Sequence, residues 1–334
     1  MTIPEMIDTP FNKFLLLAGG ISILIGLQGC DSADDAIPIQ QVDSQSEQYL
    51  PLDKIQQSEQ NQALPANTYY FGFDLRSSPQ EDTAQYLPFL RYLEHATGYH
   101  FKLHFTPKHS TTEDELGQNK SQFASMGAMS YLKAQLRYHV ISLVRGINHQ
   151  GKALYQSVLV TKPDSPIRNI KDIKGQSLAF GNPSSTQGYL IPRIMLKKHG
   201  ISLTDLYRYG FTGSHQNCAE SVISGKYDVC GMQDQLGDRL AQQGFLKIIQ
   251  RSSYYPASGI VANNFVSNEV IKKVKTALIN FYPQGKDRQG LYHWDRTEMP
   301  RGFVAAKEHD YDELRQWAIK LGFLEFTQHK ITKQ

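Results

Sequence analysis

From Thr68 onward the sequence predicts an α/β fold with two parallel or mixed sheets, mainly parallel, flanked by helices. Three observations carry that prediction. Short apolar runs alternate with helical patterns along the whole body of the chain. Residues 169–250 form a self-contained run of strand and helix units. The body, 67–334, is longer than one compact core usually spans, so it divides into two lobes. One lobe is expected to be discontinuous, 67–155 with 252–334, and the other to comprise 156–251. Two chain crossings would then form a hinge, with a ligand between the lobes beyond the carboxyl ends of the strands.

The elements follow in order. Tyr69 to Phe73 reads as the first strand, followed by a helix through Leu87, Leu90 and Leu93 that stops near Gly98. Phe101 to Phe105 is a second strand, Met129 to Tyr138 a helix, and Val140 to Val144 and Ser157 to Thr161 are strands. Ser177 to Phe180 feeds a helix over Tyr189 to His199. Strands near Tyr207 to Phe211, at Tyr227 to Met232 and at Leu246 to Gln250 alternate with helices at Gln216 to Ser224 and Gln235 to Gln243. Val270 to Phe281 and Tyr311 to Leu321 are the last helices. No internal repeat stands out.

The first 30 residues have the form of an export signal. Lys13 precedes an apolar run from Phe14 to Leu27, too short to span a bilayer comfortably. Leu27-Gln28-Gly29-Cys30 resembles a lipobox, which implies lipidation at Cys30 and anchorage to a membrane surface. Gln28 is unusual in its position, Glu5 and Asp8 dilute the positive region, and Met6 is an alternative start; an ordinary secretory signal is the competing reading. Asp31 resembles the inner-membrane retention signal of some Gram-negative lipoproteins, so in a Gram-negative source the expected location is the periplasm, anchored to the inner membrane. Residues 31–66, rich in Gln, Ser and Asp without apolar period, read as a flexible stalk.

Charge is unevenly divided. Residues 31–66 carry −6, whereas after Ala66 Lys and Arg outnumber Asp and Glu by 33 to 23, a net +10. A basic body suits an anionic ligand by steering. No basic run has the form of a nucleic-acid patch, so nucleic acid is not expected as a partner. Beyond Cys30 the cysteines are Cys218 and Cys230. In an oxidising compartment they either form a disulfide or remain two buried thiols, and spacing does not decide between these.

The most informative stretch is Gly181-Asn182-Pro183-Ser184-Ser185-Thr186-Gln187-Gly188-Tyr189-Leu190, set between an apolar strand and an amphipathic helix. Hydroxyls and unpaired N–H groups at the start of a helix make a socket for a small tetrahedral anion. The bland reading is an ordinary N-cap. The chain has no G-x-x-x-x-G-K-[ST], and so no sign of nucleotide chemistry.

The body from about Phe71 to Phe323 resembles the substrate-binding proteins of phosphate, phosphite and phosphonate ABC importers, a branch of the two-lobed type II periplasmic binding proteins. The likeness is carried by Phe71-Gly72-Phe73, Tyr86 to Leu90, Gly127 to Tyr131, Tyr155 to Val160, Asp164-Ser165-Pro166 with Ile170 to Gly175, and the socket. Gly213-Ser214-His215, Gly225 to Val229 and Pro256 to Ile260 complete it. The resemblance implies that Ser184, Ser185, Thr186, His215 and Tyr155 hold the oxyanion, with no cofactor and no metal. His215 has an alternative as a helix-start neighbour bonded only to backbone. Ser130 and Tyr131 open another helix that either faces the cleft or simply caps and packs. Arg76 and Ser77 follow the first strand at the ligand-facing edge. Aminophosphonate-binding relatives use acidic residues for the ligand amine, one near Ser258; here Asp234 is the nearby acid, and it serves equally well as a helix cap. That departure argues for a ligand without an amine. The stretch Trp294 to Pro300, dense in polar and aromatic residues, has no role that the sequence assigns.

The leading expectation is a monomeric, lipid-anchored receptor that delivers a phosphorus oxyanion to an ABC permease. The alternative is the ligand-binding part of a sensory system acting through a separate kinase or chemoreceptor, including an arsenic-oxyanion variant using a thiol at Cys218 or Cys230. An enzyme is disfavoured because the sequence has no paired-carboxylate or metal-ligand cluster, and His95 and His100 are five apart, the wrong offset for one helical face.

Overall fold

The alternating apolar runs assemble into two sheets of mixed direction. The structure, a computed structural model, describes residues 66–324, all within one compact unit that begins at Ala63. The expected leader (1–30) with Cys30, and the expected stalk up to Pro65, lie outside the described residues.

In chain order the elements are β1 (Thr68–Phe73), α1 (Pro79–Thr97), β2 (His100–Leu103), α2 (Thr112–Gly117), β3 (Phe123–Met126), α3 (Ala128–Tyr138), β4 (Ile141–Gly146) and β5 (Leu154–Tyr155). There follow β6 (Ser157–Thr161), β7 (Ser177–Phe180), α4 (Ile191–Lys198), β8 (Arg208–Phe211), α5 (His215–Ile223), β9 (Val229–Gln233), α6 (Asp234–Gln242) and β10 (Lys247–Arg251). The chain ends with β11 (Tyr255–Pro256), β12 (Gly259–Ala262), α7 (Asn268–Asn280), β13 (Phe303–Ala305) and α8 (Asp312–Lys320). One sheet has the order β13-β4-β12-β3-β1-β2, the other β10-β6-β9-β7-β8, and β5 pairs with β11 in a two-stranded ribbon.

The expectation of mainly parallel sheets holds for two of the five pairings in the first sheet and two of the four in the second. β1 runs parallel to β2 and β3, and β7 runs parallel to β8 and β9. These neighbours are joined through helices, as parallel pairs require. β12 is antiparallel to β3 and β4, and β6 is antiparallel to β9 and β10. β12 and β6 each enter their sheet directly from a crossing strand, with no helix to reverse the chain.

Local chemistry sets the boundaries. Ser78 caps α1 by accepting from the Glu81 N–H at 3.2 Å, and Gly98, at φ 69°, ends it by donating to the Glu94 carbonyl. The buried stripe of α1 is Tyr86, Phe89, Leu90 and Leu93; Leu87, expected on that face, points outward. Phe89 stacks on Trp294 with ring centroids 4.8 Å apart and meets Phe281 edge-on at 5.2 Å, so the 294–300 stretch belongs to this core. At Gly259 a Cβ would lie 1.9 Å from the Val144 carbonyl oxygen, so the approach of β12 to β4 tolerates no side chain there.

Val158, Val160, Ala179 and Met232 form the second core, closed by the Cys218–Cys230 disulfide with Cα atoms 5.8 Å apart. It ties α5 to β9, and neither thiol is free. The two crossings are stitched by the β5–β11 ladder, by Gln156 Nε2 donating to the Ser252 carbonyl at 2.6 Å and by the Ser157 N–H donating to Ser252 Oγ at 2.9 Å. Among the described residues no helix is long and apolar enough to cross a membrane.

The disulfide bridges a sequence separation of 12. Replacing both cysteines with alanine should lower the unfolding free energy by about 2–3 kcal/mol, as expected for a loop of this length. Urea denaturation of the variant beside the oxidised parent checks this.

Candidate functional site

A cavity of ≈ 520 Å³ lies between the carboxyl ends of the two sheets' strands. Its wall takes Asp74 and Arg76 from the loop after β1, Glu113 from α2, Ser130 from α3 and Glu298 from the 294–300 loop. Across from these stand Ser184, Ser185, Thr186 and His215, while Tyr155 projects from the crossing strand β5.

The socket is built by its own hydrogen bonds. Asn182 Oδ1 accepts from the Ser184 N–H at 2.8 Å, and its carbonyl accepts from the Ser185 N–H at 2.9 Å, closing the turn after β7. Ser185 Oγ accepts from the Gly188 N–H at 2.9 Å and so caps a π-helical turn, Thr186–Leu190, that leads into α4. Thr186 Oγ1 accepts from the Met129 N–H at 2.8 Å, and Ser184 Oγ accepts from Lys133 Nζ at 3.1 Å. Both donors belong to α3, so these bonds join the socket to the opposite lobe. A hydroxyl that accepts keeps its own O–H to donate. Each of the three side chains is thus oriented by an accepted bond and retains an O–H to donate, that of Thr186 lying beside the Tyr155 hydroxyl. The bland reading, a simple N-cap, holds for Ser185 and is compatible with the donor role. At Gly188 a Cβ would stand 2.9 Å from Ser185 Oγ and 3.0 Å from His215 Cε1, which explains glycine there.

His215 opens α5 behind the N-cap Ser214, whose Oγ accepts from the Asn217 N–H at 3.1 Å. The ring is buried and its Nδ1 has no hydrogen-bond partner, so the reading of a histidine bonded only to backbone is not what the geometry shows. Burial, with the nearby Arg76 charge, pushes its pKa down to about 4, leaving a neutral imidazole at neutral pH. The Tyr155 hydroxyl is buried beside Thr186 and the Ala128 backbone, and burial pushes its pKa up. Arg76 presents Nε and Nη2 unpaired, while Nη1 lies 2.8 Å from Glu298 Oε2. Burial works against its charge, but Glu298, Tyr86 and Asp74 outweigh it and the guanidinium stays ionised.

Two sequence-expected residues do not line the cavity. Tyr131 is buried against Tyr311, with ring centroids 4.7 Å apart. Asp234 is held by the Gln156 N–H at 3.0 Å, the Gln235 N–H at 2.9 Å and Gln187 Nε2 at 3.2 Å, so its carboxylate stitches the crossing and faces no ligand. Ser258 does line the cavity. The sequence argument against an amine-bearing ligand considered only Ser258 and Asp234, and it does not carry over. Asp74, accepting from the Gly127 N–H at 2.8 Å, and Glu113, 4.0 Å from Lys133 Nζ, add carboxylates on the first-lobe wall. Burial and the neighbouring Asp74 raise the Glu113 pKa. Asp74 was findable as the residue directly after a strand. Glu113 sits on a short helix with no apolar period to reveal it. Among the described residues no group of His, Cys, Asp and Glu is arranged to hold a metal ion.

A family profile described as the periplasmic substrate-binding protein of phosphonate ABC transporters matches residues 71–311. The chain belongs to this family. It is 29% identical over 221 residues to the phosphonates-binding periplasmic protein of Escherichia coli K12, covering 63% of this chain and 65% of that protein. The chain thus spans just under two thirds of that relative's length. It is 23% identical over 283 residues to the phosphate-import protein PhnD of Mycolicibacterium smegmatis, covering 77% of this chain and 88% of that one. Among solved structures, PhnD1 of Prochlorococcus marinus, in complex with methylphosphonate, superposes with a TM-score of 0.68 at 17% identity over 77% of this chain and 99% of that one. This last likeness shows the type II two-lobed fold.

Because His215 is neutral in the folded protein, its pKa lies below the unfolded value of 6.5. Its contribution to stability is complete above pH 6.5 and is lost as pH falls toward about 4. Over that window His215→Asn should lose less stability than the parent, by up to about 3 kcal/mol. Unfolding free energies of the two proteins at a series of pH values give the difference directly.

Proposed function

We propose that this protein captures a small phosphorus oxyanion, a phosphonate foremost, in the cavity between its lobes and presents the closed form to an ABC permease. The single observation that carries this reading is the convergence on one cavity of the buried, unpartnered His215 Nδ1 with the hydroxyls of Tyr155, Ser184, Ser185 and Thr186. Leaving a buried donor unpaired costs about 1–3 kcal/mol, so an acceptor-rich guest relieves several such penalties at once. A tetrahedral oxyanion offers acceptors in several directions, which matches donors arriving from two lobes and a crossing strand. Family membership and the methylphosphonate complex of PhnD1 point to the same chemistry.

In this reading residues 67–155 and 252–334 move as one lobe and 156–251 as the other. The Thr186 and Ser184 bonds to α3 are the contacts that closure makes and opening breaks. The periplasm is the site of action, and acyl chains on Cys30 tether the protein to the membrane beside its permease. No observation favours the sensory alternative. Its arsenic-thiol variant needs a free thiol, which the Cys218–Cys230 disulfide removes.

Isothermal titration with phosphate, phosphite, methylphosphonate and 2-aminoethylphosphonate is expected to give saturable binding of at least one phosphonate. Thr186→Ala and His215→Ala should each weaken it tenfold or more, at least ~1.4 kcal/mol. Parental affinity in both variants would remove the site assignment, and no heat from any of the four ligands would remove the function.

A further inference from the structure

Arg76 lies outside the family-derived set of anion-binding residues, yet its guanidinium lines the same cavity. Its two edges face different partners. Nη1 meets Glu298 Oε2, whereas Nε and Nη2 are buried without a hydrogen bond of good geometry, the Tyr86 hydroxyl lying beside the guanidinium. Nε and Nη2 lie on one side of the guanidinium plane's perimeter and carry parallel N–H bonds, the fork that matches two oxygens of one oxyanion. The edge left over after the Glu298 contact is therefore the edge that binds anions bidentately.

We propose that Arg76, clamped by Glu298, is the first-lobe ligand of the phosphono group, gripping two of its oxygens through Nε and Nη2 and favouring the doubly charged phosphonate over singly charged tetrahedral anions. The inference rests on the reading of the cavity as a phosphorus-oxyanion site. Three arrangements support it.

The backbone at Arg76 is fixed. Asp82 Oδ2, in the first turn of α1, accepts from the Arg76 N–H at 2.9 Å. Glu298 is equally constrained. Thr297 Oγ1 donates to the Trp294 carbonyl at 2.7 Å, Trp294 Nε1 donates to the Met299 carbonyl at 2.9 Å, and Trp294 is locked in the aromatic core. The polar and aromatic stretch from Trp294 to Pro300 thereby acquires a role: it delivers a carboxylate to the far edge of Arg76.

The charges favour the fork. His215 is close enough to feel the Arg76 charge, so the two side chains address the same space from opposite lobes. His215 is neutral, Lys133 is engaged by Ser184 and lies 4.0 Å from Glu113, and the lining sets Arg76 and Lys108 against the carboxylates Asp74, Glu113 and Glu298. At the fork edge the guanidinium is nearer than Glu298, and Coulomb attraction falls with distance, so the cation dominates there. A dianion gains twice what a monoanion gains.

In buffer alkaline enough for methylphosphonate to carry its second charge, methylphosphonate and methanesulfonate have the same shape and differ in charge, so titrating both against the purified protein tests the proposal. The double variant Arg76→Gln/Glu298→Gln removes both charges and strands neither. It should bind methylphosphonate at least thirtyfold more weakly, and its preference over methanesulfonate should shrink at least tenfold. Arg76→Lys keeps the charge pair without the fork and should weaken methylphosphonate at least tenfold. Parental affinity in Arg76→Lys, or equal losses for both ligands in a double variant that still unfolds cooperatively, overturns the proposal. A parent protein that binds no phosphonate would instead overturn the reading of the cavity, and this inference with it.

Discussion

Hydrogen-bond donors enclosed between two sheets, with no protein acceptor to meet them, are the constraint on which the molecule turns. Arg76, Tyr155 and His215 reach the cavity from three different elements; Arg76 and His215 hold buried nitrogens without a hydrogen bond, and the Tyr155 hydroxyl is buried beside Thr186. An enclosed donor is penalised by its lost hydration, and in a low-dielectric setting the penalty and the reward for meeting it are both large. The hydroxyls of Ser184, Ser185 and Thr186 are placed by bonds they accept, so ligand binding need not reorganise them. Preorganisation of this kind lowers the entropic cost of capture.

The scaffold holds these groups by separate means. The socket is fixed by Asn182 and Gly188, Arg76 by Asp82, and Glu298 by the Trp294 loop. His215 begins a helix that the Cys218–Cys230 disulfide fastens to β9. The two sheets are joined by the β5–β11 ribbon with its Gln156, Ser157 and Ser252 bonds, by the Met129–Thr186 and Lys133–Ser184 contacts, and by a shared apolar core in which Tyr189 packs on Phe323. Tyr155 stands on that ribbon and lines the cavity.

Much of the fold was legible in the sequence, for identifiable reasons. β6 and β7 were read to the residue because each is a short apolar run bounded by polar or turn-forming neighbours. The end of α1 was read at Gly98, whereas its start at the Ser78 cap was not. α2, β3, β12 and β13 were not read. Phe123 to Met126 is only four residues long and Thr112 to Gly117 has no apolar period, so neither presents a pattern until neighbours cover it. Sheet direction was half read, because a helix between strands announces a parallel pair whereas a chain arriving from another lobe announces nothing.

The sequence by itself determined the socket, since a turn of Asn-Pro-Ser-Ser-Thr before a helix dictates its own local geometry. It also determined the strand and helix alternation, which depends on near neighbours. Tertiary structure alone decided which groups share the cavity. Asp234 and Glu298 are both acids in polar surroundings by sequence; packing turned the first into a stitch for Gln156 and brought the second, 222 residues from Arg76, to within 2.8 Å of it. Cys218 and Cys230 became a disulfide for the same reason, because burial of α5 against β9 brings their Cα atoms within 5.8 Å. Local signals fix what a segment is, and only the closing of distant surfaces over one another fixes what each side chain meets.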